Sequence, residues 1–299
     1  MSTKKTVYFM EVYQLDSNDN AHTLTPGFWT KLFNHLSSAL PEERQSTYKS
    51  NVLYGECRSD KMTLLDYTYL GKSRPQSDWP DVQDHGGQID SLTTVGGISG
   101  LLEPVYIAPV DASNTAAFLR TSGGPTWQAI EAWLNTVTGV AAGQPEFRLR
   151  PLVKTDGLER LRDSLGVSKM HVKLDADSLS SAGHHGVIGA AAQAAESVSG
   201  DLSMELILSF GHATPDSMAA EDLKDQLEIF MRQHMFKKSR ATLMVDKGAD
   251  GIGRESIDFT SDRITSVEKV DVAEDDQPSL QSALIALSSA IQKYKAGKL

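Results

Sequence analysis

The sequence predicts an α+β fold: two mixed α/β units with antiparallel sheets, and a helix at the C-terminus. Three observations carry this. Strand-like runs follow one another through short turns, as in "NVLYGECRSDKMTLLDYTYLGKSR", which favours antiparallel neighbours. Stretches with apolar residues at helical spacing lie between such runs. The segment "AAGQPE" interrupts the pattern near the middle of the 299 residues, a length that allows two domains of ordinary size. The predicted division is 1–143 and 144–299, with the terminal helix in the second unit.

The elements follow in order. "TVYFMEVYQL" is rich in β-branched and aromatic residues and reads as a first strand. Thr25 before Pro26 predicts a helix start, and Phe28, Leu32, Phe33, Leu36 and Leu40 then recur at helical spacing. Trp79–Gly100 reads as a loop, since it holds five glycines and one proline. "EPVYIAPV" reads as a buried strand. Thr126 is placed to cap a helix with Ile130, Trp133, Leu134 and Val137 on one face and Gly139 as its stop. Beyond the linker come strand-like "FRLRPLV", helix-like "DGLERLRDSLG", strand-like "KMHVKLDAD" and the small-residue helix "GVIGAAAQAAESV". "SMELILSF" is a further strand. "SMAAEDLKDQLEIFMRQH" is an amphipathic helix with Met218, Leu223, Leu227, Phe230 and Met231 inward. "RATLMVDKGADGIGRESIDF" reads as a hairpin, and "PSLQSALIALSSAIQKYKA" as a final helix whose late lysines suit its dipole.

Composition bounds the function. No apolar run approaches the roughly 18 residues of a membrane-spanning helix, and Glu11 and Gln14 break the N-terminal run, so no signal peptide is expected. Cys57 is the only cysteine, which excludes an intrachain disulfide and a cysteine-rich zinc site; a packing role is expected for it. These features predict a cytoplasmic protein. The net charge of −10 argues against a uniformly basic nucleic-acid binder. Charge is uneven, however. From Arg148 to Lys173 the basic residues are Arg148, Arg150, Lys154, Arg160, Arg162, Lys169 and Lys173, against only Asp156, Glu159 and Asp163.

Three candidate sites emerge. In "DKGADGIGRE", Asp246 and Asp250 match positions one and five of a calcium loop. Gly248 leaves position three without a ligand, and Asp258 falls one place beyond the final one. Strand-like "ESIDFT" after the glycines also disfavours a phosphate cradle, which needs a helix N-terminus. A turn is expected. In "KLDADSLSSAGHHG", Asp175, Asp177, His184 and His185 offer an alternative: a divalent-metal site for a nuclease or hydrolase. The third candidate is basic. Arg232, Lys237, Lys238, Arg240 and Arg254, with Arg148, Arg150, Lys154, Arg160 and Arg162, are candidate DNA phosphate contacts. No zinc finger, basic zipper or aromatic RNA-binding signature accompanies them, and no G-x-S-x-G elbow marks a nucleophile.

The runs "GGPTWQAIEAWL", "LRPLV", "MHVKLDA" and "RATLMVDKGADGIGRESIDF", in that order, resemble the RexA component of lambdoid Rex phage-exclusion systems. The likeness covers roughly Pro104 to Val270. It implies a non-enzymatic, cofactor-free homodimer of two-domain subunits that binds double-stranded DNA without sequence preference. It also implies a fold related to RdgC, which encircles DNA as a dimer. The resemblance further implies a temperate-phage protein acting in the host cytoplasm beside a membrane partner of RexB type, in superinfection exclusion or the choice between lysis and lysogeny. The acidity of this chain departs from a DNA-binding role and confines it to local positive surface. A third expectation, from the acidic balance, is a protein-interaction module of a phage-defence system.

Overall fold

The computed structural model describes residues 2–18, 20–83, 89–92, 98, 100–174, 186–196, 198, 202–211, 213, 215–233, 238–248, 251–260, 263–271 and 280–299. The strands are β1 Ser2–Leu15, β2 Ala21–His22, β3 Gln45–Tyr48, β4 Asn51–Ser59, β5 Asp66–Arg74, β6 Asp81–Gln83, β7 Ile89–Ser91, β8 Leu101–Pro109, β9 Thr115–Arg120, β10 Glu146–Pro151, β11 Gly166–Leu174, β12 Met204–Ser209, β13 Lys238–Asp246, β14 Ile252–Asp258 and β15 Thr265–Asp271. The helices are α1 Phe28–Ser38, α2 Trp127–Val137, α3 Thr155–Asp163, α4 Gly186–Glu196, α5 Ser217–Gln233 and α6 Leu280–Lys295. The fold is α+β, as predicted. Among the described residues no helix is long and apolar enough to cross a membrane.

The chain divides into Met1–Leu149 with Thr265–Leu299, and Arg150–Ile264. The first unit is built on a nine-stranded sheet ordered β10-β1-β9-β8-β5-β4-β3, with β15 and β2 also paired to β1. Val7 and Tyr8 pair with both β15 and β9, so those two strands flank β1 on opposite edges. Successive side chains of a strand point to opposite faces, and here both faces are packed. Phe9 stacks on Tyr294 of α6, with ring centroids 4.7 Å apart. On the other face Tyr8 and Phe118 meet Trp127 edge-on, and Phe118 also meets Trp29. That explains why "TVYFMEVYQL" is apolar almost throughout instead of alternating.

The terminal segment corrects the expected division. β15 pairs along β1, and α6 buries Ala283, Leu284, Leu287, Ala290 and Ile291 in this unit. Buried Glu268 of β15 accepts hydrogen bonds from Lys293 Nζ (2.6 Å) and Ser289 Oγ (3.0 Å) of α6, tying helix to strand. Residues 265–299 therefore belong with the first sheet and not with the segment they follow. Pairing between distant strands leaves no mark on local composition.

Two helix starts contrast. Thr126 caps α2 as expected, its side chain accepting from the Ala129 N–H at 3.2 Å. Thr25 does not cap α1. The residue before that helix is Gly27, at φ 93°, where a side chain would be strained. The Phe28 N–H is satisfied instead by Asn114 Oδ1 at 3.1 Å. The buried face of α1 is Trp29, Leu32 and Leu36; Leu40 lies beyond the helix and is exposed.

Trp133 of α2 is fully buried and donates its indole N–H to the Arg44 carbonyl at 2.9 Å. Its ring lies on β4 at Gly55, where an added Cβ would stand 2.4 Å from a ring carbon. Gly55→Ala is therefore expected to cost about 1–3 kcal/mol through overpacking, read as a lower Tm. An unchanged melting curve would mean the indole shifts freely.

The second unit is a four-stranded antiparallel sheet ordered β12-β11-β13-β14. One face packs on the helices through Met170, Val172, Leu174, Leu243 and Ile257, against Leu161, Ile188, Leu223, Leu227 and Phe230. Met218, expected inward, is 73% exposed. It sits in the first turn of α5, ahead of the apolar stripe that begins at Ala220. At Gly166 a Cβ would stand 2.6 Å from the Ala220 Cβ, so α5 approaches the start of β11 at backbone distance. A smaller two-stranded sheet joins β6 and β7, within the segment predicted to be a loop. Each of those strands has three residues, too few for the alternating pattern to emerge.

Candidate nucleic-acid interface

The face of the second sheet opposite its helices carries the polar positions. In β11, "GVSKMHVKL", Lys169 is exposed and His171 and Lys173 half-buried, while Met170, Val172 and Leu174 are buried. The same alternation in β13 puts Lys238, Arg240 and Thr242 outward and Ser239, Ala241 and Leu243 inward. β12 adds Glu205, Ile207 and Ser209, and β14 adds Ser256 and Asp258.

The register turns these strands into rows. His171 stands opposite Arg240, and Lys173 opposite Lys238. On the other side Lys173 stands opposite Glu205 and Lys169 opposite Ser209. Like charges directly across a ladder destabilise it, so the Lys173–Lys238 row carries a cost that an anion lying on the sheet would relieve. Lys169, Lys173, Lys238, Arg240 and, towards one end, Arg254 share the face with the carboxylates Glu205 and Asp258. A depression of about 420 Å³ runs along it, lined by Lys169, His171, Arg240, Thr242, Ser256 and Asp258 among others.

The carboxylates are engaged. Asp258 receives Arg240 Nε at 2.6 Å. Burial opposes its ionisation, but hydrogen bonds from Thr260 and Arg240 hold its carboxyl below the usual range. Glu205 is kept ionised by a hydrogen bond from His171, with Lys173 3.7 Å away as a second influence. Lys169 and Lys238 have no ion-pair partner among the described residues.

The remaining basic residues disperse. Arg254 donates to the carbonyls of Gly211 (3.3 Å) and Ala213 (3.0 Å), in the loop after β12 on the opposite edge of the sheet. It straps one end of the sheet. Arg160 and Arg162 project from α3, on the helical side. The first pairs with Glu255 and the second with Glu228 at 2.8 Å. Lys154 precedes α3 and is exposed. Arg150 lies on β10 where the chain passes between the units. Arg232 lies at the end of α5, and Lys237 falls outside the described residues.

Arg148 belongs to the first unit and serves its packing. It donates to buried Glu131 of α2 at 3.1 Å and to Glu146 at 2.7 Å. A guanidinium committed to a buried carboxylate is a poor phosphate contact. Charge along the chain could not separate it from its neighbours, because its partner Glu131 lies 17 residues earlier. By charge alone Lys169 and Lys173 are only members of the basic run. The spacing Lys-x-His-x-Lys in a strand is the signal that places all three on one face.

The hairpin joining β13 and β14 is built as a turn where described. The Asp246 carboxylate accepts the Gly248 N–H at 2.8 Å, and the Lys247 N–H bonds the Gly251 carbonyl at 2.8 Å. Asp250 lies outside the described residues, as do Asp175, Asp177, His184 and His185 of the alternative metal site. Among the described residues no group of His, Cys, Asp and Glu side chains is placed to hold a metal ion. Burial raises the Cys57 thiol above its ordinary range, the reverse of an activated nucleophile.

No family model matches the chain, and no curated protein matches it in sequence.

Proposed function

We propose that this protein binds double-stranded DNA without sequence preference, through the outward face of the Arg150–Ile264 sheet. The observation that carries the reading is the clustering of Lys169, Lys173, Lys238 and Arg240 on one face, with Lys173 directly opposite Lys238. Cations on a rigid sheet can replace condensed counterions along a phosphate backbone. The face offers no Phe, Tyr or Trp among its described residues, so it lacks the stacking platforms with which single-strand binders hold bases. Phosphate contact without base contact gives affinity without specificity. The resemblance to RexA-like proteins supports placing this activity in phage exclusion or the lysis–lysogeny choice, as a homodimer with a membrane partner of RexB type.

Titrating labelled duplexes of unrelated sequence at several salt concentrations tests the reading. Equal affinity for all duplexes is expected, with log affinity falling linearly against log salt at about −0.9 per phosphate neutralised. Three or four contacts give a slope of about −2.7 to −3.6 by the same relation. Strong preference for one duplex, or no binding at low salt, would refute it.

A further inference from the structure

We propose that His171 is a proton-dependent phosphate contact of this face, so that DNA binding takes up a proton; the inference rests on the function proposed above. His171 lies in the middle of the outward face, its side chain 17% exposed and lining the depression. Lys169 and Lys173 flank it on its own strand. Arg240 stands opposite on β13 with Lys238 one rung away, Glu205 approaches from β12, and Asp258 lies beyond Arg240 on β14.

The hydrogen-bond pattern sets the chemistry. His171 Nε2 is 2.5 Å from a Glu205 carboxylate oxygen. An ionised carboxylate can only accept, so Nε2 carries the hydrogen. In the neutral ring Nδ1 is then a bare lone pair, which repels a phosphate oxygen. A proton taken from solvent onto Nδ1 converts it into a charged donor and leaves the Glu205 bond intact. Neutral His171 thus interrupts the cationic rows, and the imidazolium completes them. His171 is the one histidine among the described residues of the face.

Anisotropy titrations with a random-sequence duplex at about pH 6 and pH 8 test this, bracketing the usual histidine range. Wild-type affinity is expected to be about tenfold higher at the lower pH, the gain from roughly one more phosphate contact near 0.1 M salt. His171→Gln should bind equally at both pH values, at the weaker wild-type level. In the intact wild-type protein, NMR titration of the His171 ring should give a higher pKa with duplex bound than without. A merely structural histidine would not produce that rise. Wild-type binding that does not vary with pH, an unchanged pH profile in a folded His171→Gln variant, or an unmoved ring pKa would each overturn the inference and leave the DNA-binding reading standing. No binding at either pH would overturn both.

Discussion

Replacing Lys169, Lys238 and Arg240 together by alanine is expected to weaken duplex binding by about two to three orders of magnitude near 0.1 M salt, equally for all sequences. Each phosphate contact contributes about 0.9 to the slope of log affinity against log salt, and so about tenfold at that salt. Three lost contacts flatten the slope by about 2.7 on the same basis. Removing Arg240 also takes the 2.6 Å guanidinium partner from Asp258, whose carboxylate, still held by the Thr260 N–H at 3.0 Å, then faces the phosphates without that positive charge. The fold should survive, because substitutions at solvent-facing positions usually change stability by no more than ~0.5 kcal/mol. Arg160→Ala with Arg162→Ala is the matched control. It removes comparable charge from the helical side, where both groups pair with Glu255 and Glu228. Binding of that variant should remain within about twofold of wild type, since exposed ion pairs contribute little. If the control loses affinity and the triple variant keeps it, the DNA surface is on the helical side.

The largest stability effect is expected in the first unit. Glu131→Ala should cost about 3–5 kcal/mol, the range for breaking a buried ion pair by removing one partner. Glu131 is 6% exposed. One carboxylate oxygen accepts from Arg148 at 3.1 Å and the other from the Leu149 N–H at 2.8 Å. The substitution leaves a half-buried guanidinium with Glu146 alone and orphans a backbone donor. Glu131→Gln keeps an acceptor for Leu149 and should cost clearly less. Burial raises the Glu131 carboxyl above its ordinary range, with Arg148 opposing. A raised folded-state value means the native protein holds this proton more tightly than the unfolded chain. The group's contribution is therefore greatest below the ordinary glutamate range and declines as pH rises through the raised value. Glu131→Gln should lack that component in denaturant melts across pH. Melts showing Glu131→Ala as stable as wild type would remove the pair from any structural role.

These two sites differ in how far the sequence discloses them. Period-two alternation in "KMHVK" and "KSRAT" is local, and by itself it puts Lys169, His171, Lys173, Lys238 and Arg240 on one side of their strands. Local chemistry also determined the Thr126 cap, the Asp246 turn and the apolar stripe of α5. Each depends on groups within a few residues of one another.

Tertiary structure decided what depends on distant partners. It set β11 beside β13 in the register that makes Lys173 face Lys238. It withdrew Arg148 into a pair with Glu131 and turned Arg160 and Arg162 to the opposite side of the sheet. It also returned β15 and α6 to the first sheet. Charge along a chain is a one-dimensional sum, and a binding surface is a two-dimensional arrangement. Strand pairing converts one into the other, and its partners lie far apart in sequence, so local composition carries the face of each strand but not the neighbour it meets.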